Sequence, residues 1–340
     1  MQVPSVLRKC VCFVEAGWGD DLTLVGTAMI LGVESNEGVD RHHIHVVTCR
    51  HVLVPPDRLP GADPWPAPVY ARIRLRLNRH DADADTVDVS PDDWVVHPTA
   101  DVAAALLVPA PEPRLFDYLH VPVTGTVDKD LRGRFKVGPG DDVFMTGLLH
   151  SHPGRAKIEP IIRVGTIAAF PEEKVTLEHC TTRQDVVLVE IRSIGGLSGS
   201  PVFFHLPDTW RIDDGSATNA PTTVPPDSAG QNWLVGIMHG WWPTQPDDPD
   251  RRDKVAEPLN TGIAVVLPAE RIVELLFGHT LTHRRYLVDE TIHERSKSTP
   301  TSAAPSVPTA RDGDDPFTHE MFLANVTEIA QPAADPGRQT

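Results

Sequence analysis

Gly195-Gly196-Leu197-Ser198-Gly199-Ser200-Pro201-Val202-Phe203 sets a serine among glycines, immediately before an apolar run. Glycine lets the backbone turn tightly and lets another backbone approach closely. Such a turn suits a nucleophile, because the amides of Gly196 and Ser198 can aim at one point and hold a developing negative charge. Pro201 stops the turn from continuing as helix, and Val202-Phe203-Phe204 continues as a buried strand. Taken alone, the stretch also fits a plain glycine-rich turn between two strands.

The surroundings favour an all-β fold. The chain has 340 residues, 40% of them hydrophobic, enough for one large domain or two small ones. It carries 33 prolines and 24 glycines and shows no long helical period until late, which implies many turns and short strands. Lys and Arg number 31 against 47 Asp and Glu, a net charge of −16, so neither nucleic acid nor an anionic membrane surface is an expected partner. The apolar runs are too short to span a bilayer, and Met1 to Lys9 has no core of signal-peptide length. Cys10, Cys12, Cys49 and Cys180 form no disulfide framework and are expected as buried thiols. These features lead to the expectation of a cytoplasmic protein.

Strands are expected over residues 8–16, 22–33, 43–48, 69–77, 94–96 and 102–108. After a polar link at 131–139 the pattern restarts, with strands over 142–149, 161–170, 185–191, 202–205, 233–239 and 261–267. Val69 to Leu77 alternates apolar and basic, as a half-exposed strand with a wet arginine face does. Residues 55–68, 206–231 and 243–259 read as surface loops. Pro268 to Phe277 reads as a helix with an apolar face of Ile272, Val273, Leu275, Leu276 and Phe277. The domain is therefore placed at 8–285, in halves of about 8–130 and 140–285. Residues 286–340 are expected to be a disordered tail, with a short candidate partner-binding helix at 316–330 around Phe317, Met321, Phe322, Val326 and Ile329.

A serine nucleophile needs a base, and the base needs an acid to orient it. His51 stands just past an apolar strand, in Val46-Val47-Thr48-Cys49-Arg50-His51. Asp101 is a lone carboxylate opening the apolar strand Val102-Ala103-Ala104-Ala105-Leu106. A carboxylate drawn toward a core needs a partner, and an imidazole N–H is the obvious one.

In the order His51, Asp101, Ser198, these residues resemble the motifs of the trypsin-like serine proteases of chymotrypsin fold, closest in style to bacterial and HtrA-type members. Thr48-Cys49-Arg50-His51 resembles the family's Thr-Ala-Ala-His. Asp101-Val102-Ala103-Ala104 resembles its Asp-(Ile/Val)-Ala-apolar motif, and Gly196-Leu197-Ser198-Gly199-Ser200-Pro201 its Gly-(Asn/Asp)-Ser-Gly-Gly-Pro. Gly26-Thr27-Ala28-Met29, the cleft strand Gly236-Ile237-Met238-His239-Gly240, and Thr261 to Phe277 extend the resemblance over about residues 8–280. It implies two six-stranded antiparallel β-barrels with a C-terminal helix. It also implies a serine endopeptidase in which Ser198 attacks, His51 moves the proton, Asp101 orients His51, and the Gly196 and Ser198 amides form the oxyanion hole. Its substrate would be a protein or peptide, with no cofactor and no metal required, and a partner acting through the tail is a candidate activator. The rival reading is a catalytically silent binding scaffold on the same fold.

Two positions depart from the family pattern. Arg50 replaces a small residue and is expected to face solvent, and Ser200 replaces the second glycine and is a rival nucleophile, with Ser193 a weaker one. Arg192, His239 and Gly240 fall where the family lines its primary pocket, where the two cationic side chains would favour an acidic residue before the scissile bond. The plainer alternative has Arg192 in solvent and His239 packed near Asp101. His43, His45, Cys49 and His51 are donors of the kinds zinc takes but lack a CxxC and a second cluster at ligand spacing, so no metal site is expected. His150-Ser151-His152-Pro153 reads as a surface turn.

Overall fold

The computed structural model describes residues 3–36, 41–55, 70–154, 156–177, 180, 182–192, 196–206, 232–243 and 260–298. The loops expected at 55–68, 206–231 and 243–259 lie almost wholly outside the described residues, as does the candidate helix at 316–330.

A one-turn helix, α1 (Ser5–Arg8), precedes the first β unit. That unit comprises β1 (Val11–Trp18), β2 (Asp21–Glu34), β3 (His42–Cys49), β4 (Arg72–Leu77), β5 (Asp85–Val89), β6 (Trp94–Val96), β7 (Val102–Leu106) and β8 (Val121–Pro122). The sheet order is β5-β4-β1-β2-β3-β7-β6, with β8 running parallel to the end of β2. The long β2 pairs with β1 through its first part and with β3 through its last. This unit is an open eight-stranded sheet, where a closed six-stranded barrel was expected. One edge, β6, has only three residues, and the chain just before it is held by a helix: Arg284 donates to the carbonyls of Asp93 and Asp92 at 2.6 and 3.0 Å.

On β4 the alternation holds: Ile73, Leu75 and Leu77 are buried while the arginines between them bond outward. Arg72 pairs with Asp88 and Asp20, and Arg74 with Glu15.

The link between units is partly helical. Asp128 caps α2 (Lys129–Arg134) by accepting from the Leu131 amide at 2.7 Å, satisfying one of the otherwise orphaned first-turn donors. The second unit is the closed barrel that was expected. Its strands are β9 (Asp142–Gly147), β10 (Ile161–Ala169), β11 (Val187–Glu190), β12 (Pro201–His205), β13 (Asn232–Pro243) and β14 (Asn260–Pro268). They close in the order β10-β11-β14-β13-β12-β9. Val143, Met145, Val189, Val202, Phe204, Met238 and Val266 fill it. The alternate residues of β9 and β12, Phe144 and Phe203, stack at 5.3 Å outside the barrel and join the core of the first unit. The period of two along each strand thus gives the barrel one core inside and another against its neighbour.

Among the described residues, two helices follow β14. Pro268 caps α3 (Ala269–Leu276), which buries Ala269, Ile272, Leu275 and Leu276; Phe277, expected on that face, ends the helix half exposed. Then α4 runs over His279–Ser298, through the boundary placed at residue 285. It lies on the first unit through the fully buried Leu281 and the partly buried Val288 and through polar contacts. His43 Nε2 stands 3.0 Å from Asp289 Oδ1, Ser35 donates to the same oxygen at 2.7 Å, and Arg285 bonds His45 Nε2 at 3.2 Å.

Candidate active site

The site is built where the two units meet. From the first unit, β3 ends at Cys49 and the chain enters a 3₁₀ turn, Arg50–Leu53. Neighbouring β7 begins just after Asp101, and the two strands pair from Cys49 against Val102. This register places the carboxylate beneath the turn. The Arg50 amide donates to the Asp101 carbonyl at 3.2 Å, and the His51 amide to Asp101 Oδ1 at 2.9 Å. Arg50 is buried, with Nη1 on the His97 carbonyl at 3.2 Å, which corrects the expectation that it faces solvent.

Asp101 is 1% exposed and holds two imidazoles. His51 Nδ1 lies 2.6 Å from Oδ2, and His239 Nδ1 lies 2.7 Å from the same oxygen. Burial pushes the carboxyl toward its neutral form. The opposing pull of His51 and of the His239 hydrogen bond, followed by the remaining contacts, prevails and holds it well below the usual carboxylate range. An ionised carboxylate only accepts, so both Nδ1 atoms carry their proton. In a neutral imidazole that leaves Nε2 as the basic nitrogen, the tautomer a proton acceptor needs. The two rings meet edge to face, 5.1 Å between centroids.

From the second unit, the Gly196–Ser200 turn leads into β12. Gly199 has φ +85°, and a Cβ there would stand 2.0 Å from the Thr27 carbonyl oxygen and 2.5 Å from Thr48 Oγ1, so only glycine fits. The turn is therefore pressed against the strands that carry the other half of the site. Thr27 N donates to the Ser198 carbonyl at 3.0 Å, and Gly199 N to Met238 O at 2.8 Å. Thr48 in turn donates to the Thr27 carbonyl at 2.7 Å, three residues before His51. Gly196 has φ +89° and faces the His150 ring, which a Cβ would meet at 2.5 Å.

These contacts bring Ser198 to the same seam as His51 and Asp101. Its Oγ lies 2.9 Å from the His239 carbonyl oxygen; a carbonyl cannot donate, so the serine proton sits on that bond. Two β units, with the imidazole and carboxylate on one and the serine turn on the other, meet along a shared seam. The fold is of the chymotrypsin type.

No protein-family profile and no curated protein sequence matches the chain. Among solved structures, this chymotrypsin-type chain is similar to the MamO protease domain from Magnetospirillum magneticum, at 14% identity and TM-score 0.43, over 79% of this chain and 96% of that one. It is also similar to Rv3671c from M. tuberculosis H37Rv in an inactive form, at 13% identity and TM-score 0.40, over 80% and 88% of the two chains. The HtrA-type protease AlgW with a decapeptide is similar at 15% identity and TM-score 0.38, over 85% and 66%.

The other candidates fall as follows. Ser200 is fully buried, against Gly147, and has no path to a substrate. Ser193 lies outside the described residues. Arg192 is exposed, and His239 is 7% exposed and spent on Asp101, so the plainer expectation for this pair holds. Gly240 follows His239 on β13, at the seam end of the strand. His43 and His45 are drawn away to α4. Cys49 stays at the site, buried, its thiol donating to the Met238 carbonyl at 3.1 Å. Burial, then the charge of Asp101, pushes that thiol well above its ordinary value. His150, expected on a surface turn, is half-buried, packed on Phe13 at 5.7 Å and against Gly196. Burial lowers its pKa more than its bond to the Gly26 backbone raises it. The sequence signal for His150 was weak, because its packing partners are 137 and 46 residues away along the chain.

Proposed function

We propose that the protein is a serine endopeptidase that hydrolyses peptide bonds in protein or peptide substrates. The reading is carried by the 2.6 Å contact of His51 Nδ1 with the buried, ionised Asp101, beside a serine turn that only glycine can form. Asp101 fixes the His51 tautomer, so that Nε2 can take the Ser198 proton while Oγ attacks the carbonyl carbon. The Gly196 and Ser198 amides would hold the resulting oxyanion. His51 then returns the proton to the leaving amine, and a water molecule repeats the sequence on the acyl-enzyme.

A latent resting state has its own support. The Ser198 proton sits on the His239 carbonyl and must leave that bond before it can pass to an imidazole. A rotation of the serine side chain, prompted by substrate or by an activating partner, would start the reaction.

Labelling with a fluorophosphonate probe tests the reading, with Ser198→Ala alongside the wild type. Labelling that vanishes in the variant supports an activated Ser198. Labelling that persists moves the nucleophile elsewhere, and an unlabelled wild type favours the scaffold reading unless a partner restores it. Of the residues expected to favour an acidic residue before the scissile bond, only Arg192 remains exposed. A peptide panel varied at that position settles this: equal or faster cleavage after Leu or Arg removes Arg192 from specificity.

A further inference from the structure

His239 and Cys49 are not needed for the proposed chemistry, yet both crowd the same carboxylate. One ligand atom from each of Cys49, His51, Asp101 and His239 falls within 4.8 Å of every other. Cys49 ends β3, His51 opens the turn after it, Asp101 precedes β7, and His239 lies on β13 of the other unit. The set thus spans the seam, and its donors are one sulfur, two imidazole nitrogens and one carboxylate oxygen. That mixture is what a borderline-soft divalent ion such as zinc takes in a four-coordinate site.

We propose that Cys49, His51, Asp101 and His239 form a zinc-binding site that holds the protein in an inactive state. Charge favours this occupant: a thiolate and a carboxylate balance a dication, so the buried cluster is neutral when loaded. The proton count is simple. The thiol proton leaves to solvent as the Zn–S bond forms. Each imidazole gives up its Nδ1 proton to solvent and takes one at Nε2, so it stays neutral while the freed Nδ1 lone pair binds the ion. Ligand atoms around a tetrahedral ion at ~2.0–2.3 Å stand roughly 3.3–3.7 Å apart. The 2.6 and 2.7 Å contacts to Oδ2 are tighter than that, so loading draws the carboxylate back by about 1 Å and replaces two hydrogen bonds by metal bonds.

His51 is the member open to solvent, with 16% of its side chain exposed against none for Asp101 and 7% for His239. It is therefore the member through which the ion arrives. The inactivation rests on the protease reading, since a metal-bound or repositioned His51 cannot serve Ser198. The binding does not rest on that reading.

The test uses the full chain and cobalt(II) as a spectroscopic substitute for zinc. Wild type should bind one ion in a tetrahedral site with a sulfur-to-cobalt charge-transfer band, and zinc should bleach it. In Cys49→Ser that band should disappear, and in His239→Gln the affinity should fall by about tenfold or more. Fluorophosphonate labelling of the wild type should stop at one equivalent of zinc and return with a chelator. Absence of the band in wild type, or its survival in Cys49→Ser, overturns the proposal. Retention of wild-type affinity in His239→Gln also overturns it. If the metal-free chain is not labelled and no partner restores labelling, the protease reading fails while the cobalt spectrum still decides the metal site.

Discussion

The two β units solve the same packing problem in different ways. The second closes its sheet on itself, so no strand edge is left and its core is internal. The first stays open, and its core is completed by outward faces of the other unit, including Phe144, Phe203 and Ile237, and by Ile272 and Leu276 of α3. The division carries over to the site. The open unit carries His51 and Asp101 at the ends of its buried strands β3 and β7, and the closed unit carries Ser198 on a glycine turn of positive φ. An imidazole must be held in one tautomer, which calls for a buried carboxylate. A nucleophile must stand clear of the sheet, which calls for a turn that ordinary residues cannot adopt.

The sharpest way to break this comparison is to remove the charge at its centre. Asp101→Asn leaves two imidazoles competing for a single amide oxygen, and the rate of fluorophosphonate labelling should fall on the order of 10⁴-fold. A loss of less than tenfold would mean that the open unit does not orient His51 in this way. Next comes the turn of the closed unit. Gly199→Ala sets a Cβ 2.0 Å from the Thr27 oxygen at φ +85°, and urea unfolding should show a loss of about 3 kcal/mol. A harmless substitution would show that the turn is not braced by the open unit.

A third prediction concerns acid. His45, on β3 under α4, is buried; burial first, then the charge of Arg285, lowers its pKa to about 3. A histidine with a depressed folded pKa binds fewer protons folded than unfolded, so its contribution is complete well above pH 6.5 and is lost as pH falls toward 3. Between pH 7 and pH 5 this amounts to about 2 kcal/mol, and His45→Gln should flatten the profile of unfolding free energy against pH by that much. An unchanged slope would place the acid sensitivity elsewhere. The smallest effect belongs to the wet face of β4. The Arg72–Asp88 pair is well exposed, and Arg72→Ala should leave the urea unfolding midpoint nearly unchanged.

The sequence revealed strands more readily than helices. Alternation along Val69–Leu77 and the apolar runs before His51 and after Asp101 report a buried face directly. The glycine turn reports itself through residues with no other use there. Helix α4 was missed because its docking face mixes Leu281 and Val288 with the buried Arg285 and Asp289, while Tyr286 and Leu287 point outward, so no apolar stripe marks it. Openness of the first sheet was equally hidden, since it depends on which strands meet at the ends and not on the pattern within any one of them. His239 was only half legible. Its place on an apolar strand was plain, but its choice of Asp101 over the substrate pocket depends on a fold that joins residues 138 apart.

The contact of α4 with the open sheet also sets an order of events. Ser35 and Asp289, which bond at 2.7 Å, are 254 residues apart, and the apolar closure of the open unit uses α3 just before. As the chain leaves the ribosome, its first half emerges with an unfinished core and an unguarded edge at β6. It must wait for nearly the whole domain to be made. The histidine and the aspartate are thus synthesised early but set in place late, when α4 arrives to seal the sheet that carries them.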